Sequence, residues 1–452
     1  MSAHEQYLDL FSRNEADVCR YSPAAMNARR ETARRALAER GFPSADEADY
    51  RHTDIEAFFA PDYGMNIHRH TVHIDHPYET FRCDVPNLSV SPYFVINDTF
   101  LHSPDTAPLP EGAFAGSLKD FCLQYPALAE QYYGQAASSE DNGVVAFNTL
   151  FAQDGFALYL PRNTRLSRPL QLINISRSRT DMIANRRLLV ILEAGAEARL
   201  LVCDHSEDVG RRILITQVAE MFVGEGARWE YYDLEESSEQ TCRLSHFHLR
   251  QAAGSDVLLN GTTLRNGHTR NDYYARMDGE DADLTLCALA ILDDARRIDT
   301  HSHVIHATPR SRSRELVKNV LRGESLAVFH GRILVTPGAE KTQAYQINRN
   351  LCLSPAARAY SRPQLEIYAD DVRCSHGMSA GQLDEAALFY MKSRGIPHEE
   401  ALILLSIAFA GDVLDTIRID ILKNRLRHLV EKHFRGELAH CASCRLDKSG
   451  TK

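Results

Sequence analysis

No stretch of this chain is apolar for long enough to cross a bilayer. Its longest aliphatic run, Ala401 to Gly411, spans 11 residues and is broken by Ser406, against roughly 20 for a spanning helix. Basic residues are the minority charge, 51 Lys and Arg against 61 Asp and Glu, so a chain that binds nucleic acid over its whole surface is excluded. Cysteine is sparse: ten are scattered through 452 residues, without the density of a disulfide-stapled scaffold. Cys441 and Cys444 form a lone C-x-x-C in a polar tail, with no second pair at zinc-ribbon spacing. Residues Met1 to Phe11 place His4, Glu5 and Asp9 where an export signal needs a basic and then an apolar stretch. The expectation is a cytoplasmic protein. What is present is the composition of a folded globular chain, 44% hydrophobic and 25% charged.

Familiar catalytic loops are missing too. There is no G-x-x-x-x-G-K-[ST] and no H-E-x-x-H, and Gly224-Glu-Gly226 lacks the third glycine of a dinucleotide loop. The chain therefore has no ATP site of its own. Gly377-Met-Ser379-Ala-Gly381 does match the G-x-S-x-G elbow, between the strand-like run Leu365 to Val372 and a helix, which supports an alternative reading as a serine hydrolase with Ser379 as nucleophile. Against it, the residues that follow read wholly as helix and leave no room for the rest of an α/β-hydrolase sheet.

The pattern along the chain changes three times. Residues 1–140 form a helical and mixed head: Leu8 and Phe11, then Ala24 to Arg40, have helical spacing, with Gly41-Phe42-Pro43 as a stop and a further helix near Leu118 to Gln131. The small and polar segment Gly134 to Gly143 reads as a linker. Residues 141–376 then carry short β-type runs, among them Phe156 to Leu160, Pro169 to Ile175, Leu188 to Leu192, Leu200 to Cys203 and Ile213 to Gln217. Glycines at related turn words, Gly195, Gly224, Gly254 and Gly279, punctuate them.

An irregular period of this length suits a parallel β-helix, a solenoid whose stacked turns bury what one turn alone cannot. A β-sandwich is the competing fold, but its turns recur every 8 to 12 residues and this region would need two of them. Residues 377–435 read as a helical domain: Asp384 caps one helix, Pro397 opens a second with Leu402, Leu405 and Phe409 on one face, and a third runs from Asp412 to Phe434 with Leu414, Ile417, Ile421 and Leu429 as its stripe. The β core is expected to stand without this domain. Residues 436–452 are a polar tail.

Three clusters carry candidate chemistry. Asp299, His301 and His303 alternate and share one strand face, the pattern of a polar sheet surface before that of a metal site. Arg310, Arg312 and Arg314 also alternate, as a solvated strand edge would. Cys374-Ser-His376 is the sharpest pair, because a thiol and an imidazole two apart face the same way in a strand and can share a metal or a sulfur species.

The surroundings of that pair carry a resemblance. Asn350-Leu-Cys-Leu-Ser354, Pro363-Gln-Leu-Glu-Ile-Tyr-Ala-Asp-Asp-Val-Arg-Cys-Ser-His-Gly377 and Leu388-Phe-Tyr-Met-Lys-Ser-Arg-Gly-Ile396, with Phe147 to Gly155, Asp299-Thr-His301, Lys318 and His330-Gly-Arg332, resemble the SufD branch of the Suf iron–sulfur assembly scaffold over roughly 140–435. The resemblance implies a β-helix flanked by helical ends and a scaffolding rather than catalytic role. It implies pairing with a SufB-like subunit, or with a second copy when that subunit is absent, and docking of a SufC-like ABC ATPase on the C-terminal helices through Leu388, Phe389, Tyr390, Arg394, Leu402 and Phe409. Cys374 and His376 would then lie at the subunit interface, handling iron, sulfur or a nascent cluster shared with the SufB-like partner. His376 is the better candidate ligand, since a neutral imidazole binds iron without the proton loss a thiol requires.

Overall fold

The structure, a computed structural model, describes residues 2–70, 90–102, 108–206 and 210–437. Cys441 and Cys444 lie outside these residues. Three short strands come first: β1 (Ser91–Ile96), β2 (Thr99–Leu101) and β3 (Phe114–Ser117). Sixteen more follow one another through the middle of the chain: β4 (Phe156–Leu160), β5 (Leu170–Ser176), β6 (Met182–Leu192), β7 (Glu197–Ser206), β8 (Ile213–Val223), β9 (Arg228–Glu236), β10 (Thr241–Gln251), β11 (Asp256–Arg265), β12 (His268–Met277), β13 (Asp283–Leu292), β14 (Arg297–His306), β15 (Arg312–Leu321), β16 (Leu326–Val335), β17 (Gln343–Cys352), β18 (Arg358–Ile367) and β19 (Arg373–Gly381). From β4 on, each pairs in parallel with the strand two positions along, so even-numbered strands form one sheet and odd-numbered strands the other. Two strands per turn make eight turns of a parallel β-solenoid, as the turn spacing leads one to expect. At its start, β1 and β2 extend the odd sheet and β3 the even one.

One corner of each of the first seven turns is set by a left-handed residue. Asn163, Gly195, Gly226, Gly254, Asp281, Arg310 and Lys341 all have positive φ, at intervals of 27 to 32 residues. Their N–H groups bond to the next turn along the axis: Gly195 N donates to Glu225 O, Gly226 N to Ala253 O and Gly254 N to Glu280 O, each at 2.8 Å. Gly224 and Gly279 have a different task, because a Cβ on Gly279 would lie 1.9 Å from Ala253 N and one on Gly224 2.7 Å from the Glu193 carbonyl carbon. They let stacked turns touch backbone to backbone.

Strand alternation divides the lumen lengthwise. Inward residues near the glycine corner are apolar, such as Leu188, Val190 and Leu192 on β6, with Met221, Leu249, Val202, Trp229 and Leu259. Towards the other corner the same strands turn charged inward. Arg243 reaches Asp204 at 2.5 Å and Asp233 at 2.9 Å, and Arg186 reaches Asp204 at 2.7 Å, with all four side chains buried. A buried charge is tolerated only where it is paired and hydrogen-bonded.

Helices cover both outer faces. The head contributes α1 (Ala3–Arg20), α2 (Ala24–Asn27), α3 (Arg30–Arg40), α4 (Ile55–Phe59), α5 (Leu118–Gln124), α6 (Pro126–Tyr132) and α7 (Gly143–Phe151). Tyr7, Phe11, Leu37, Phe59 and Phe147 pack on Ile183, Leu214 and Leu244 of the even sheet. The segment expected as a linker is held to the sheet: Gly134 N, Ala136 N and Ala137 N donate to the Glu220 carboxylate at 2.9, 2.9 and 3.1 Å, and Glu220 also pairs with Arg187 at 2.7 Å. Its small residues free the backbone to meet a buried carboxylate.

After the solenoid come α8 (Glu385–Ser393), α9 (His398–Leu414) and α10 (Asp420–Phe434). The third helix starts at Asp420 and not at Asp412, because α9 continues through Leu414. Its buried stripe is Leu422, Leu426, Leu429 and Val430, while Ile421 is exposed. Leu414 and Ile417 are buried before α10 begins. Together with Ala410 and Val413 these residues cover Leu201, Tyr232, Leu234, Leu258 and Leu289 of the odd sheet. The expectation that the β core stands without its C-terminal helices is therefore corrected: they are half of its cladding. No helix of the described residues is long and apolar enough to cross a membrane.

Candidate functional site at the open end of the solenoid

Both sheets end on the last turn, where β18 and β19 are the edge strands. β19 is exposed along its length apart from Cys374. Around this end Tyr345, Ile347, Tyr360, Ile367, Tyr368 and Met378 keep large exposed surfaces. An uncovered edge with free backbone groups and apolar side chains is a template for pairing with another chain.

Cys374 and His376 stand in register with Ala344 and Gln346 of β17, whose side chains point into the lumen. Cys374 is half-buried against Ile333, Val335, Ala344 and Leu365. Burial pushes its thiol up, which disfavours the thiolate that would attack sulfur or bind metal. His376, two residues on and on the same strand face, is exposed. The structure thus places the two on one face of an edge strand, the imidazole open to solvent and the thiol turned towards the apolar end of the lumen. Ser379 belongs to the same strand, paired with Arg349, and its carbonyl accepts from Asn350 Nδ2 at 3.3 Å. A strand running unbroken through Gly377 to Gly381 forms no strand-turn-helix elbow, so the hydrolase geometry is absent there.

The other clusters have structural tasks. Asp299 accepts from Thr53 Oγ1 at 2.6 Å, pairs with Arg270 at 2.8 Å and lies 2.7 Å from His301 Nε2. Burial opposes its ionisation, but Arg270 and His301 hold the carboxyl well below the usual range. His330 Nδ1 meets Asp49 Oδ1 at 2.9 Å. These contacts join the head to the even sheet around a cavity of about 220 Å³ that His303 also lines. Among the described residues no group of three or more His, Cys, Asp or Glu is arranged to hold a metal. Arg310 sits in a turn and pairs with Asp281 at 2.9 Å, and Arg312 pairs with Asp283 at 3.0 Å, so this basic stripe ties one turn to the turn before it.

The helical residues divide. No residue of α8 is buried; Phe389 is 74% and Tyr390 58% exposed, with Arg394 5.2 Å from the Tyr390 ring and Leu388 half-buried. On α9, Leu402 and Phe409 are half-buried. The Phe409 ring lies 4.5 Å from Lys318 Nζ, which donates to the Phe409 carbonyl at 2.8 Å and pairs with Asp412. Phe409 is thus turned towards β15.

Sequence reading passed over the lumen network of Arg186, Asp204, Arg243, Asp233 and Glu235, and the pair Glu315 and Gln346 beneath His376. The available signal was charge at inward positions of strands that are otherwise apolar.

A two-sheeted β-solenoid with helices over both outer faces, and with a thiol and an imidazole on an uncapped edge strand, defines the architecture of a scaffold rather than that of a hydrolase. This chain belongs to the SufBD family: residues 174–409 match the SUF system FeS cluster assembly SufBD core domain, and residues 1–172 match the SufBD protein N-terminal region. It is similar to a SufBD family iron–sulfur cluster assembly protein of Synechocystis sp., 30% identical over 335 residues that cover 72% of this chain and 74% of that one. The chloroplastic protein ABCI7 of Arabidopsis thaliana is 27% identical over 348 residues, 75% of this chain and 72% of its own. The iron–sulfur cluster assembly protein SufD of Escherichia coli is 29% identical over 283 residues, 61% of this chain and 66% of its own. A role in iron–sulfur cluster assembly follows from the family.

Proposed function

We propose that this chain is the SufD-type, non-catalytic scaffold subunit of a cytoplasmic cluster-assembly complex. It pairs with a SufB-like subunit through the open turn, or with a second copy of itself when that subunit is absent. Cys374 and His376 lie in the seam and handle iron, sulfur or the nascent cluster, which is the cargo of the complex. The C-terminal helices dock a SufC-like ABC ATPase. Neither nucleic acid nor a membrane has a part in this reading. The observation that carries it is the thiol and imidazole pair on an uncapped, apolar-rimmed edge strand. The exposed Phe389 and Tyr390 on a helix with no buried residue support the ATPase contact, with Leu388 and Arg394 in the same segment and Leu402 on α9.

Co-purification separates the two contacts. Tyr368→Glu with Met378→Glu should abolish capture of the SufB-like subunit and spare the ATPase, whereas Phe389→Glu with Tyr390→Glu should do the reverse. Retention of both partners by both double variants would refute the assignment of surfaces.

A further inference from the structure

Directly beneath His376 in the lumen lies a polar pair that the apolar packing of the last turns does not explain. Glu315 on β15, Gln346 on β17 and His376 on β19 are successive register partners, so their side chains stack along one inward line. Neighbouring strands in such a ladder are about 4.8 Å apart. Glu315 is 2% and Gln346 1% exposed. Gln346 Nε2 donates to Glu315 Oε1 at 3.1 Å. That bond leaves Gln346 Oε1 buried without a partner, while Ser302 Oγ faces the carboxylate from the other side. Buried acceptors are rarely left unused without a reason.

Gly331 on β16 shows that room is made for this arrangement. A Cβ there would fall 2.2 Å from Gln346 Nε2, 2.4 Å from its Cδ and 2.5 Å from its Oε1, so the amide occupies the space a side chain at 331 would fill. The amide is held at one position by Gly331 and, once Glu315 is ionised, in one orientation, because a carboxylate accepts only and must be met by the NH2 end. Its carbonyl end is then the free acceptor, and the next group on the line is the His376 ring.

We propose that Glu315 is a positioning residue for His376: through Gln346 it presents a carbonyl acceptor to the ring, fixing which nitrogen carries the proton and which is left free towards the open end. A hydrogen bond to one ring nitrogen sets the tautomer and hence the nitrogen available to a metal. The importance of that nitrogen for iron or sulfur rests on the function proposed above; the control of the ring does not. Glu315 does not touch the cargo.

The test uses the full chain labelled with ¹⁵N-histidine, with His376 identified by loss of its signals in His376→Ala. At pH 8 the two ring nitrogen shifts of wild type should report one dominant tautomer. Glu315→Gln keeps the shape but can present either a carbonyl or an NH2 to Gln346, so the amide is no longer held in one orientation and the ring should return to a mixture of tautomers. Gly331→Ala displaces only the flexible end of Gln346 and should return the ring to a mixture, with Glu315 and His376 unaltered. Melting temperatures of both variants confirm the fold. Identical His376 shifts in wild type, Glu315→Gln and Gly331→Ala would overturn the proposal. Cluster assembly in the complex is read separately: undiminished assembly by His376→Ala alongside a loss of the single tautomer in Glu315→Gln refutes the iron and sulfur reading and leaves the positioning standing. Loss of assembly by His376→Ala with an unresponsive tautomer does the opposite.

Discussion

Cys374 and His376 share a strand face, but their surroundings treat them differently. The thiol is half-buried among aliphatic groups and raised by that burial, whereas the imidazole is exposed. Since only the thiolate is nucleophilic, Cys374 should alkylate with iodoacetamide at pH 7.5 at least about tenfold more slowly than a free model thiol. Mass spectrometry of the modified peptide over time measures this, and a rate equal to the model thiol would contradict the burial argument. Glu315 offers a second test at this scale. Burial pushes its carboxyl up to about 7. The native state therefore holds a proton that the unfolded chain releases at lower pH. Its contribution to stability is complete below the unfolded value and is lost as pH rises through about 7. Against Glu315→Gln, wild type should lose at most roughly 3 kcal/mol between pH 5 and pH 8, read from urea unfolding of both proteins. A constant difference between the two across that range would show that the carboxyl is not shifted.

Among the elements, the close contacts of stacked turns and the charged half of the lumen are where a single change should be most costly. Gly279→Ala drives a methyl into the Ala253 backbone and should destabilise by about 2 to 4 kcal/mol. Gly377→Ala meets nothing within 4 Å and should change stability by less than about 1 kcal/mol. Arg243→Met leaves Asp233 and Glu235 buried without their cation, a loss of about 3 to 5 kcal/mol by chemical denaturation. A change below about 1 kcal/mol would mean that these carboxyls are neutral in the native state.

Much of this was legible in the chain itself. Short β runs separated by glycine turns at an irregular period favour a solenoid over a sandwich, whose turns recur every 8 to 12 residues. Gly195 and Gly254 were found as turn residues and are left-handed, but Gly224 and Gly279 were found for a different reason, close approach, while Gly226 and Asp281 take the positive φ. Spacing cannot separate the two roles, because both favour glycine. The Cys374 and His376 pair was visible because period 2 puts both on one face. Gln346 and Glu315 were not, because their relation to His376 runs across strands about 30 residues apart in sequence, and a single sequence contains no register. The hydrolase reading failed for a related reason: a five-residue pattern says nothing of whether its backbone turns.

At the scale of the whole molecule, the solenoid begins on the short strands β1, β2 and β3 and ends on an exposed last turn. The head and the C-terminal helices clad opposite sheets, so cutting the chain at Gly381 would strip Leu201, Tyr232, Leu234 and Leu258 of their cover and should yield an insoluble product rather than an independent core. The last turn ends both sheets, and there a half-buried thiol and an exposed imidazole share a face of β19. The central claim is that cluster building takes place at this seam and depends on His376 more than on the fold around it. The measurement that tests it most directly is cluster formation, followed by visible absorption and Mössbauer spectra, on the complex purified with its SufB-like and SufC-like partners, for wild type and His376→Ala. The account predicts that the variant forms the same complex, melts within about 1 °C of wild type as an exposed substitution should, and accumulates little or no cluster. Wild-type cluster yield from an intact His376→Ala complex would contradict it.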